Sequence, residues 1–120
     1  MDKPRQVPAF LFPGAQTGEE PCWKPPVDIY RLQNGWLLKF DLAGVRAEDI
    51  KVEVSGCRVT VGGIRRDLLL EESASYYSME IAYNRFERTV DLPCQFANPA
   101  ISMENRDGIL ILRLTDQEER

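Results

Sequence analysis

From residue 27 onward, apolar residues recur at every second position in short runs broken by turn residues. Alternation of that period puts successive side chains on opposite faces of a pleated strand. "VDIYRL" (27–32) and "WLLKFDL" (36–42) form the first pair, joined through Asn34-Gly35, a dipeptide whose tolerance of positive φ suits a type I′ hairpin. "IKVEVS" sets Ile50, Val52 and Val54 against Lys51, Glu53 and Ser55. Gly56 then turns the chain into "CRVTV", where Cys57, Val59 and Val61 alternate with Arg58 and Thr60. "YYSMEIAY" alternates Tyr77, Met79, Ile81 and Tyr83 against Tyr76, Ser78, Glu80 and Ala82. After Asn84, "FERTVDL" resumes with Phe86, Val90 and Leu92, so residues 76–92 predict another hairpin. Last come "AISMEN" and "ILILRL" around Asp107-Gly108; Leu110, Leu112 and Leu114 face one way, Ile109 and Ile111 the other, which implies a cover on the second face. No stretch sustains a 3.6-residue period, and the best helical candidate is the short "RAEDI" turn before residue 50. These elements predict an all-β fold, an immunoglobulin-like β-sandwich of seven to eight antiparallel strands.

Two segments depart from this rhythm. Residues 1–25 read as an irregular N-terminal arm, since residues 1–26 hold six of the eight prolines, and it carries the apolar run Phe10, Leu11, Phe12. The sandwich domain is expected over 26–115, with 116–120 as a short tail. Between Val61 and Tyr76 lies "GGIRRDLLLEESAS", with Leu68, Leu69 and Leu70 at its centre. Burying a leucine is worth about 1.5–3 kcal/mol, so this segment is expected to pack on its own sandwich or on another subunit. A protruding strand that pairs with a second chain would bury the leucines and cap a sheet edge together.

Composition narrows the chemistry. The chain has no histidine, which removes Ser/His/Asp and Cys/His nucleophile arrangements and the commonest metal ligand. Glycine-rich phosphate cradles and calcium loops have no candidate stretch either, so no catalytic residue, metal or cofactor is expected. Acidic neighbours such as Glu48-Asp49 and Glu71-Glu72 read as solvated surface. A net charge of −4 without a basic run longer than Arg65-Arg66 argues against nucleic acid. Apolar runs are too short for a membrane span or a signal-peptide core, which points to the cytoplasm. Cys22, Cys57 and Cys94 are odd in number and far apart, so reduced thiols are expected, with Cys57 a small core residue opening its strand and Cys22 and Cys94 in loops.

Taken in order, "WKPPVDIY", "DLAGVRAEDIKVEV", "VTVGG", "YYSMEIAYNRFERTVDLP" and "NRDGILILRL" resemble the α-crystallin domain of the small heat shock proteins over residues 23–114. That resemblance implies a seven- to eight-stranded sandwich and an ATP-independent holdase that binds unfolding client proteins. It also implies the bacterial and plant mode of dimerisation, in which a strand from the spacer joins the partner's first strand. Leu68, Leu69 and Leu70 would then lie in the exchanged strand, and Val27, Ile29 and Tyr30 in the strand it joins. By the same resemblance, the groove between the family's fourth and eighth strands, which takes an I-x-I/V tail segment or another hydrophobic peptide, would be bordered by Val52, Val54, Val90 and Leu92. Phe10, Leu11 and Phe12 are similar in character to the family's client-binding arm. Departures are Ala43 for the usual proline, Ser78 and Ile81 for two arginines near Glu80, and Asn84 for a turn glycine. The residues after Leu114, "TDQEER", hold no I-x-I/V anchor. A homodimer or small homo-oligomer is therefore expected rather than a large cage, with a hetero-oligomer including longer relatives as a further possibility. The alternative class is a co-chaperone adaptor resembling the CS domain, against which the spacer and the "Y..F.R...LP" pattern speak.

Overall fold

A computed structural model describes residues 22–68 and 71–117. Seven strands follow one another: β1 (Val27–Leu32), β2 (Gly35–Asp41), β3 (Ile50–Ser55), β4 (Arg58–Arg65), β5 (Asn84–Asp91), β6 (Pro99–Arg106) and β7 (Ile109–Asp116). A single turn of 3-10 helix over Ala47–Asp49 precedes β3, at the "RAEDI" position. One sheet has the order β1-β2-β7-β6 and the other β3-β4-β5, with every pairing antiparallel. This is the all-β sandwich that the alternation predicts.

Register explains the core. Directly paired residues share a face, so Ile29, Leu38, Leu112 and Met103 form one inward row across the larger sheet, and Trp36, Leu114 and Ile101 form the next. In the smaller sheet Val54, Val59 and Val90 form the matching row. The central members of these rows, Leu38, Leu112, Leu114 and Val59, are fully buried together with Val61, Phe40 and Phe86. The outer members at the sheet edges are not.

Residues 22–26 cross from one sheet to the other. Trp23 bridges to Phe86 on β5, and its ring centroid lies 5.1 Å from that of Phe86. Pro25 is buried, and its carbonyl accepts a hydrogen bond from Arg88 Nη1 at 3.0 Å. The chain then enters β1. Hence β1 and β5 share one flank of the sandwich, and β3 and β6, at the far ends of the two sheet orders, share the other.

Several local expectations change. The first hairpin forms, but its two-residue loop is Gln33-Asn34 and no residue in it has positive φ. Gly35 instead opens β2 because β7 passes too close for a side chain; a Cβ there would sit 2.1 Å from the Leu114 carbonyl oxygen. The I′ pattern occurs at the other dipeptide, Asp107 (φ 52°) and Gly108 (φ 85°). Residues 76–92 are not a hairpin, since the strand spans only Asn84–Asp91 and Tyr76 to Tyr83 belong to no sheet. An isolated alternating segment has no neighbour to supply a hydrogen-bond ladder. Asn84 adopts φ 73°, the left-handed geometry expected of a residue in the glycine position.

Cys57 and Cys94 are not reduced thiols but a disulfide with a Cα–Cα distance of 5.9 Å. Spacing in sequence hid the pair, because the fold carries the loop after β5 back to the β3–β4 turn. Cys57 sits in that turn rather than at the head of β4, although its parity with Val59 still points it inward. Cys22 is free and exposed. Ile109 and Ile111, on the outer face, are half-buried between cross-strand neighbours that include Lys39, Asp41, Glu104 and Arg106.

Candidate binding groove and exchange surface

The flank shared by β3 and β6 is an open edge. Val52 and Val54 on β3 point to the inner face, paired with the buried Val61 and Val59, yet are only half-buried. Opposite them Ile101 and Met103 on β6 also point inward, paired with the buried Leu114 and Leu112. Their exposures of 43% and 54% show that the inward rows run out at this edge into solvent. The result is an apolar groove between two strand edges, with unpaired backbone on both sides. Such a geometry accepts an extended chain whose alternate side chains are apolar.

Val90 and Leu92 do not border this groove. Both lie on or just after β5, separated from β3 by β4, and both are buried in the core. Facing parity, which they share with Val54, does not reveal which strand stands at the edge. The groove residues that sequence reasoning missed are Ile101 and Met103. Their signal was the Ile-x-Met alternation of "PAISMENR", one hairpin away from the leucine row.

The opposite flank carries β1, an edge strand exposed along nearly its whole length. Val27 and Ile29 face inward opposite Phe40 and Leu38, and Ile29 and Tyr30 are each 44% exposed. Tyr30 lies on the outer face, with the Lys39 ammonium 5.0 Å from its ring centroid.

Between β4 and β5 runs the spacer, whose two ends are pinned. Arg65 donates to the carbonyls of Ala43 at 3.0 Å and Ala82 at 2.9 Å, and its guanidinium stacks 4.2 Å from the Trp23 ring. Arg66 makes two 2.9 Å bonds to the Asp49 carboxylate, so Asp49 is not a merely solvated acid. Hydrogen bonding to Arg66 holds the Asp49 carboxyl below its ordinary range, against a smaller opposing effect of burial. Beyond these anchors the spacer stands in water: Leu68 is 67% exposed, Tyr76 73%, Tyr77 100%, Met79 53% and Ile81 62%. Leu69 and Leu70, like Phe10, Leu11 and Phe12, lie outside the described residues.

Among the described residues no cluster of three or more potential metal ligands occurs, and no helix is long and apolar enough to cross a membrane. Among the described residues, then, a two-sheet antiparallel sandwich leaves the β3 and β6 edges on one flank and the β1 edge on the other open to solvent. The chain belongs to the Hsp20/alpha crystallin family, whose model matches residues 28–120. It is 30% identical over 99 residues to "Spore protein SP21" of Stigmatella aurantiaca, covering 82% of this chain and 59% of that protein. With "Small heat shock protein C2" of Rickettsia felis it shares 26% identity over 110 residues, 92% of this chain and 71% of the relative. Among solved structures, hspA from Xanthomonas axonopodis superposes with a TM-score of 0.67 at 26% identity, over 81% of this chain and 97% of that one. The chain spans 59% of the length of the first of these relatives and 71% of the second.

Proposed function

We propose that this protein is an ATP-independent holdase that captures extended apolar segments of unfolding proteins in the β3/β6 groove. The observation that carries this reading is the exposure of the inward-facing Ile101 and Met103 opposite Val52 and Val54. Covering that edge removes apolar surface from water at about 25 cal/mol per Å² without demanding a particular client sequence. The arm residues Phe10, Leu11 and Phe12 would add a second apolar contact, and the net charge of −4 favours soluble complexes. In the same reading the protein works in the cytoplasm, with no nucleic acid partner.

Its second surface is for a second copy. The exposed β1 edge with Val27, Ile29 and Tyr30 and the alternating, unpaired spacer supply the two halves of a strand exchange. Tyr77, Met79 and Ile81 share one parity, as a strand laid on the partner's β1 requires, and Leu68 to Leu70 would lead into it. A homodimer or small homo-oligomer follows.

Light scattering and suppression of thermal aggregation of a test protein, without ATP, check both surfaces on the same samples. Met103→Asp is expected to keep the fold, because the site is half exposed, and to lose most of the suppression, whereas Ile111→Thr on the outer face keeps it. Equal suppression by Met103→Asp and the parent protein would remove the groove from the account.

A further inference from the structure

The spacer leaves and re-enters the sandwich through a neck. Arg65, the last residue of β4, pairs with Asn84, the first of β5, and this rung closes the ladder. Just outside it the Arg65 guanidinium joins three segments that are far apart in sequence. Its Nη1 donates to the Ala82 carbonyl at 2.9 Å, its Nε donates to the Ala43 carbonyl at 3.0 Å, and its plane stacks on the Trp23 ring. Trp23 is itself held on β5: its N–H donates to the Arg85 carbonyl at 3.2 Å, its carbonyl accepts from the Glu87 N–H at 3.1 Å, and its ring packs on Phe86. Among the described residues from 71 to 83, Ala82 alone is hydrogen-bonded to the sandwich, since the bond from the Ala74 N–H to the Glu71 carbonyl stays within the spacer.

We propose that Arg65 is the positioning residue of strand exchange, the group that aims Tyr77, Met79 and Ile81 at the β1 edge of a second copy; this rests on the exchange reading above. Ile81 directly precedes Ala82, so the bond from Arg65 fixes the end of the stretch that would be exchanged. The neck also opens beside β1. Trp23 leads into Val27 through Pro25 and Pro26, and Ala43 follows Asp41, whose N–H donates to the Pro26 carbonyl at 3.1 Å and whose neighbour Phe40 pairs with Val27. The tie therefore sits at the Val27 end of the β1 edge. In a two-fold dimer each neck then stands next to the edge that receives the partner's spacer.

Preorganisation is what this arrangement supplies. A segment already held in direction does not have to be ordered by the partner, and a loop fixed before docking gains affinity for that reason. The residue type follows from the geometry. A guanidinium lies flat on an indole while its edge serves two carbonyls, whereas a lysine ammonium is a point charge without a plane to stack. Trp23 contributes by bracing that plane between its own ring and the backbone it serves.

The test uses the full chain. Dimer dissociation constants are taken from sedimentation over a concentration series, and hydrogen exchange is read on the dilute, single-chain species. Arg65→Lys keeps the charge and is expected to weaken dimerisation about tenfold or more, while the amides of Leu38, Val59 and Leu112 exchange as in the parent. Trp23→Phe alters a ring packed on Arg65 and Phe86, and it should weaken dimerisation in the same direction. The two substitutions together should weaken it by less than the product of their separate effects, because the ring acts through the guanidinium. If the parent dimerises and Arg65→Lys dimerises equally well, strand exchange stands and the role of Arg65 is overturned. Core protection lost from dilute Arg65→Lys would overturn it too, by making Arg65 a residue of the fold. A parent that stays a single chain throughout the series removes strand exchange itself, and the proposal with it.

Discussion

At the scale of single residues, backbone geometry makes the sharpest demands. Asn84 and Asp107 carry positive φ without being glycine, and side chains branched at Cβ are strained there. Asn84→Gly is expected to be close to neutral, whereas Asn84→Val should cost about 1–3 kcal/mol. Gly63 is stricter. At φ 154° an added Cβ would lie 1.9 Å from the Asp49 carbonyl oxygen, a backbone atom that cannot swing aside. Gly63→Ala should therefore destabilise by about 3 kcal/mol, read as a lower urea midpoint with an unchanged slope. The two dipeptides Asn34-Gly35 and Asp107-Gly108 show how far letters go. Both mark a hairpin, but only the second uses positive φ, because at Gly35 the missing side chain serves the close passage of β7. A sequence shows that glycine is permissive and not which permission is being used.

At the scale of elements, strands whose partners are adjacent in sequence were legible, and those whose partners are elsewhere were not. β1 to β4 and the β6–β7 hairpin follow directly from alternation. Residues 76–83 alternate as clearly, yet without a neighbouring edge they form no ladder. What the elements add is anchorage of the spacer, and the Asp49–Arg66 pair makes that anchorage sensitive to acid. The Asp49 carboxyl titrates lower in the folded chain than in the unfolded one. Its contribution is thus present above the unfolded carboxylate value, about pH 4, and is lost as pH falls through the lowered folded value. A carboxyl-carbon NMR titration should find Asp49 below the usual range and Arg66→Gln should return it there. An Asp49 curve indifferent to Arg66→Gln would detach the spacer root from this pair. Both charges reach solvent to different degrees, with Arg66 half exposed, so added salt should shrink the effect.

At the scale of the whole molecule, sheet order decides what alternation cannot. Val90 and Ile101 both sit on inward parity; one is sealed in the middle of the structure and the other lies on an open rim, because β5 is covered by residues 22–26 and β6 by nothing among the described residues. The uncovered edge on the other flank, β1, leads to the last prediction. If the spacer of one chain pairs with β1 of another, the native state is bimolecular and its stability depends on concentration. About a hundredfold dilution then removes about 1.4 kcal/mol per chain, which for a domain of this size lowers the melting temperature by roughly 5 °C or more. The same dilution should strip hydrogen-exchange protection from residues 76–82 and from β1 while leaving Leu38, Val59 and Leu112 protected. Met79→Pro distinguishes this from loss of a fold element. Proline deletes a ladder donor and is excluded from a central strand, but residue 79 belongs to no strand in the single chain. The variant should therefore melt at one temperature at every concentration, equal to that of the dilute parent. A parent whose melting temperature ignores dilution, with 76–82 unprotected throughout, would leave the spacer as a surface loop and the β1 edge open.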